Sequence, residues 1–136
     1  MGLFSGSRPT TLGVRDGRLA PANARPNNVN SQIDPGADPG HYIAPLGFTG
    51  TAEKAFAKLA EIVRSLDRAT LVTQRPDYLH VETASKTMGF VDDNEFYLDR
   101  KAGVIHVRAA ARLGIRDFNA NRDRIESIRA KLAATR

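Results

Sequence analysis

Four short runs of residues, each with the alternation or β-branched content of a strand, follow one another through links that leave room for little more than turns. They are Thr70 to Gln74, Tyr78 to Thr83, Phe90 to Leu98 and Val104 to Ala109. Arg75-Pro76-Asp77 forms a turn between the first two, and Asp99-Arg100-Lys101-Ala102-Gly103 reads as a hairpin loop between the last two. A parallel return needs a crossover of about a dozen residues, so these strands run antiparallel and a four-stranded meander is expected.

Helical periodicity flanks the strands on both sides. Ala52, Ala55, Phe56, Leu59, Ile62, Val63 and Leu66 recur three or four apart, with Lys54, Lys58, Glu61 and Arg64 on the other side and Thr49 or Thr51 in place to cap the start. From Asp117 to about Ala134 a second helix sets Phe118, Ile125, Ile128 and Leu132 on one face. Asp117 at its start and basic residues near its end suit the helix dipole. The expected fold is α+β, in the order α-β-β-β-β-α: a two-layer sandwich with both helices on one face of the sheet.

Ahead of these elements lies a stretch rich in Gly, Pro, Asn and Ser, where Pro9, Pro21, Pro26, Pro35 and Pro39 rule out a helix or a central strand. Residues 1–45 are read as an extended arm and residues 46–136 as the α+β domain. Leu12, Val14, Leu19, Val29 and Ile33 are candidate anchors that dock the arm on the domain, with the first eight or so residues loose. With 136 residues and 41% hydrophobic content the chain can build one modest core.

No cysteine is present, which removes disulfides, thiolate metal sites and cysteine nucleophiles. No apolar run approaches the length needed to span a bilayer. The opening Met1-Gly2-Leu3-Phe4-Ser5-Gly6 lacks the features of a secretory signal and of a myristoylation site. A cytoplasmic protein is expected. The net charge of +5 is small and interleaved with acid, which reads as a solvated basic surface and gives no strong nucleic-acid signal.

Alternation places Tyr78, His80 and Glu82 of one strand and His106 and Arg108 of another on the face opposite the helices, with Asp92-Asp93-Asn94-Glu95 on the strand between. Such a cluster suits an anion or polar ligand, or acid-base chemistry by a histidine beside a carboxylate. Cross-strand ion pairs are also an ordinary way to populate an outer sheet face. No nucleophile elbow, phosphate loop, zinc-protease motif or EF-hand loop occurs, so no residue is read as catalytic. His41, His80 and His106 fit no metal-ligand spacing, and no metal or other cofactor is expected. Arg108, Arg112, Arg116, Arg122 and Arg124 make a second basic centre, without the interleaved aromatic residues of a single-strand binder and with Asp117, Asp123 and Glu126 near enough to pair.

Taken in order, a further set of words is specific: Leu19-Ala20-Pro21, Pro26-Asn27, Ser31-Gln32, His41-Tyr42-Ile43-Ala44-Pro45-Leu46, Tyr78-Leu79-His80-Val81-Glu82, Gly89-Phe90-Val91-Asp92-Asp93, Val104-Ile105-His106-Val107-Arg108, Ala111-Arg112-Leu113-Gly114, and Asn121-Arg122 with Arg124. Over residues 12 to 133 or so the chain resembles the domain of unknown function family numbered 1499, found in bacteria and plastids. The resemblance implies no established activity. It does mark His80, Glu82, Asp92, Asp93, Arg108, Arg112, Asn121 and Arg122 as the family's motif positions, largely the cluster reached from alternation. Ala22 and Asn28 stand where relatives resemble a pair of cysteines, and Ala109 and Ala111 where the family tends to place serines, which tilts this chain away from catalysis.

The candidate network is therefore His80, Glu82, Asp92, Asp93, His106, Arg108, Arg112, Asn121 and Arg122. The leading functional expectation is a non-catalytic binding or assembly module, an accessory subunit whose arm and polar sheet face engage a protein partner or a second copy. The alternatives are an anionic small-molecule site or hydrolase at the cluster, and weak nucleic-acid binding through the basic C-terminal region.

Overall fold

The computed structural model describes residues 6–86, 89–114, 117 and 119–135. Phe118, Arg116 and the first five residues of the arm, each part of an expectation above, lie outside them. The elements in chain order are β1 (Asn28–Asn30), α1 (Ala52–Arg64), β2 (Ala69–Arg75), β3 (Tyr78–Ala84), β4 (Val91–Asp99), β5 (Val104–Ala111) and α2 (Ala120–Ala133). The fold is α+β with two helices and an antiparallel sheet, as the strand links and helical periods require.

The sheet has five strands, not four, in the order β1-β5-β4-β3-β2. The extra strand is β1, drawn from the Pro-rich segment and paired antiparallel with β5, Val29 opposite Ala109. Asparagine is a poor strand former, so local preference does not make β1. Its side chains do: Asn28 donates to the carbonyl of Arg25 and Asn30 to that of Ala20, tying the strand to the loop before it. The seal on β5 continues past β1 in both directions. Ala111 N–H donates to Asn27 O, Ser31 N–H donates to Val107 O at 2.9 Å, and Leu46 and Ile105 exchange two backbone bonds. The opposite edge of the sheet differs. Strand β2 carries a bulge between Leu71 and Thr73, and among the described residues no further backbone bonds its outer side from Thr70 to Arg75.

Thr51 caps α1 by accepting the Lys54 N–H at 3.2 Å, and Ala55, Phe56, Leu59, Ile62 and Val63 are buried along one stripe. At the start of α2, Asn119 adopts a left-handed conformation and Asp117 accepts the N–H groups of Asn119 and Asn121 in place of a side-chain cap from Asn119 itself. Both helices lie on one face of the sheet, where Leu79, Val81, Phe96, Leu98, Ile105 and Val107 meet Phe56, Leu59, Val63, Ile125 and Ile128. Among the described residues no helix is long and apolar enough to cross a membrane.

Candidate functional site

Register decides which side chains share the second face. Glu82 lies opposite Asp93, His80 opposite Glu95 and Tyr78 opposite Tyr97, and β5 continues the row with Arg108 opposite Glu95 and His106 opposite Tyr97. Side chains alternate along a strand, so all of these leave the sheet on the side away from the helices. That side is not open to solvent at its centre. His80, Asp93 and Glu95 are 2%, 1% and 0% exposed, because the arm from about residue 8 to residue 21 runs across them.

Two charged groups organise the layer. Asp93 accepts from His80 Nε2 at 2.8 Å and takes a forked pair of bonds from Arg112, both at 2.8 Å. Arg112 also donates to Glu82, which takes a second bond from Arg8 of the arm at 2.6 Å. Burial alone would raise the Asp93 carboxyl above its ordinary range, but the bonds from Arg112 and His80 outweigh it and hold the group below. Glu82 follows the same logic, lowered by Arg8 and Arg112 against burial. The hydrogen bond to Asp93, with help from Glu82, raises the pKa of Arg112 further.

The second group is Glu95, which accepts from the Tyr78 hydroxyl at 2.6 Å and from the backbone N–H of Gly13 at 2.8 Å. Burial, then the bond to Glu95, pushes the Tyr78 hydroxyl well above its ordinary value. The other Glu95 oxygen stands 3.6 Å from Arg108 Nη1, and among the described residues this oxygen and Arg108 Nε have no hydrogen-bond partner. His106 sits at the rim, stacked near Tyr97 and facing Asp99 at 3.5 Å. Ser31 Oγ accepts from Val107 N–H, so its hydroxyl proton is free to donate to His106 Nδ1 at 3.1 Å, and burial lowers the imidazole pKa.

Asp92 and Asn121 belong to a different network, on the helix face. Arg124 of α2 bonds Asp92 at 2.6 Å, Asn94 at 2.9 Å and Asn121 at 2.7 Å, while Asn121 reaches Asn27 O and Asp117. Burial raises the Asp92 pKa in spite of Arg124. Arg122 joins neither group and donates to Gly40 O. The nine residues singled out in the sequence thus divide into His80, Glu82, Asp93, His106, Arg108 and Arg112 under the arm, Asp92 and Asn121 beneath α2, and Arg122 alone.

Glu95 and Tyr78 were absent from that set although both belong to the layer. Glu95 stands two residues from Asp93, and that spacing alone assigns it to the same face. The basic centre does not assemble as a patch. Arg108 faces Glu95, Arg112 binds Asp93 and Glu82, and Arg124 binds Asp92.

His80, Glu82 and Asp93 each offer one atom within 4.8 Å of the others, the spacing of a metal-ligand set. Arg112 already bridges the two carboxylates, so a cation would compete with a fixed guanidinium for the same oxygens. What the arrangement does chemically is hold the arm, the meander and β5 together through charge-assisted bonds in a layer shielded from water.

The model of a protein family described as Protein of unknown function (DUF1499) matches residues 18–132. No curated protein matches the chain.

Proposed function

We propose that this chain, which belongs to the DUF1499 family, is a non-catalytic binding module that takes an extended, acidic segment of a partner protein onto the open edge of its sheet at β2. The observation that carries the reading is the asymmetry of the two edges. The β5 edge is sealed by Asn27 to Ser31 and Leu46, whereas the outer side of β2 has no backbone partner among the described residues. An unpaired edge is a template for strand addition, in which main-chain bonds supply affinity and alternate side chains supply choice.

Charge favours the identity of the occupant. Arg64, Arg68 and Arg75 are exposed along β2 and at its ends, with Asp67 and Asp77 outside the pairing length. A second copy of the chain fits less well. An antiparallel register centred on Val72 sets Arg75 against Ala69 beside Arg68, like charge near like charge. Catalysis by the polar layer has less support still, since Asp93, Glu82 and most of Glu95 are spent on internal partners beneath the arm.

The test is a titration of labelled protein with a short peptide alternating Val or Thr with Glu, followed by amide resonances. Shifts are expected at Ala69 to Arg75, lost in the double variant Arg68→Glu/Arg75→Glu and weak for the same peptide with Lys in place of Glu. Shifts of equal size for both peptides, shifts confined to the arm, or a dimer whose contacts map to β2 would overturn the reading.

A further inference from the structure

The arm contains a tight hairpin that the charge pattern does not explain by itself. Arg15 N–H donates to Arg18 O and Arg18 N–H to Arg15 O, at 2.9 and 3.1 Å, with Asp16 and Gly17 both at positive φ between them. Asp-Gly in this place is the preferred pair for such a two-residue turn. The hydrogen bonds make Arg15 and Arg18 direct cross-strand neighbours, and like charges in that position repel.

Among the described residues neither arginine has a carboxylate within 4 Å; Arg15 donates to the carbonyls of Thr11 and Leu12, and Arg18 to that of Gln32. Both line a cleft of about 680 Å³ between the hairpin and the loop after β1, together with Thr10, Thr11, Asn30 and Gln32, and among the described residues no acidic one lines it. The cleft is braced. Gln32 accepts from Leu19 N–H and donates to Gly17 O, and Asn30 donates to Ala20 O.

We infer that this cleft is a binding site for a small organic phosphate, whose phosphoryl group sits between the Arg15 and Arg18 guanidinium groups and accepts from the threonine hydroxyls. An oxyanion there turns a repulsive pair into two charge-assisted contacts, and planar guanidinium forks match phosphate oxygens. A volume of this order holds more than an inorganic ion and is typical of small-molecule sites, so the ester's organic part would lie against Leu19, Pro21 and Ile33.

A second cleft of about 560 Å³ between α1 and the end of α2 supplies the control, since it carries Lys54 and Lys58, with Lys58 paired to Glu61. Inorganic phosphate and glycerol phosphate are titrated at constant ionic strength, and the Nε–Hε signals of Arg15 and Arg18 are followed. Both probes are expected to shift these signals while chloride does not. The variant Arg15→Gln/Arg18→Gln is expected to weaken binding by roughly tenfold or more, Lys54→Gln/Lys58→Gln to leave it unchanged, and the single variant Arg15→Gln to give an intermediate loss with the arm still folded. Binding unchanged in the arginine variants, equal loss in the lysine variant, or chloride matching phosphate would overturn the assignment.

Discussion

Asp93 concentrates the polar layer in one carboxylate. It is 1% exposed, and three of its contacts come from groups that are themselves cationic or able to be, Arg112 twice and His80 once. Removing one partner of a buried ion pair strands the other, which costs far more than the pair itself contributes. Asp93→Ala is therefore expected to lower the unfolding free energy by roughly 3–5 kcal/mol, measured by urea denaturation. A loss below about 1 kcal/mol would place Asp93 among ordinary surface ion pairs. This much was legible in part. Period two put Asp93 with Glu82 and His80, and the same rule separates Asp92 from Asp93, since adjacent residues face opposite ways. What alternation cannot say is which polar face a distant segment will cover, so the near-complete burial of Glu95 and His80 had no signal in their own strands.

At the scale of elements, the loop that carries β1 is held by a histidine. His41 Nε2 faces the Arg25 carbonyl at 2.7 Å and Nδ1 faces Asp38 at 2.8 Å; both partners are acceptors, so both nitrogens must donate and the ring is held as the cation. The bond to Arg25 O is the main cause of the raised pKa, with Asp38 adding to it. A raised folded-state value means that this stabilisation is complete below about 6.5, the unfolded value, and is lost as pH rises through the folded one. Slower amide exchange in residues 25–43 is thus expected at pH 6 than at pH 8 after correction for intrinsic rates, with the difference abolished in His41→Gln. His106, whose pKa burial lowers, works in the opposite sense and loses stabilisation as pH falls below about 6.5, so the variant is needed to separate the two. Strand β1 itself was hidden from sequence because its three residues are flanked by prolines and asparagines, and its partner strand lies some eighty positions away.

For the molecule as a whole, the arm is a covering layer and the helices are another, with the sheet between them. Truncation before Ala22 removes Arg8 from Glu82, the Gly13 N–H from Glu95, the buried Leu19 and the Ala20 carbonyl that Asn30 binds, while β1 keeps its backbone pairing with β5 and the helix-side core its packing. The truncated chain is expected to retain its circular dichroism yet unfold at lower urea concentration, with its deficit against the full chain shrinking as pH falls below 4.5, because protonation of Glu82 removes the Arg8 contact from the full chain as well. Unfolding indistinguishable from the full chain would mean that the arm is carried without contributing. The seal along β5 bears also on the order of events when the chain is made. Asn28 to Ser31 leave the ribosome long before Val107 to Ala110 exist to receive them, and the meander can close through near-neighbour hairpins in the meantime. Until β5 is complete, Asn27 to Ser31 have no edge to pair with, and a nascent chain stalled before residue 104 would display that segment open to capture.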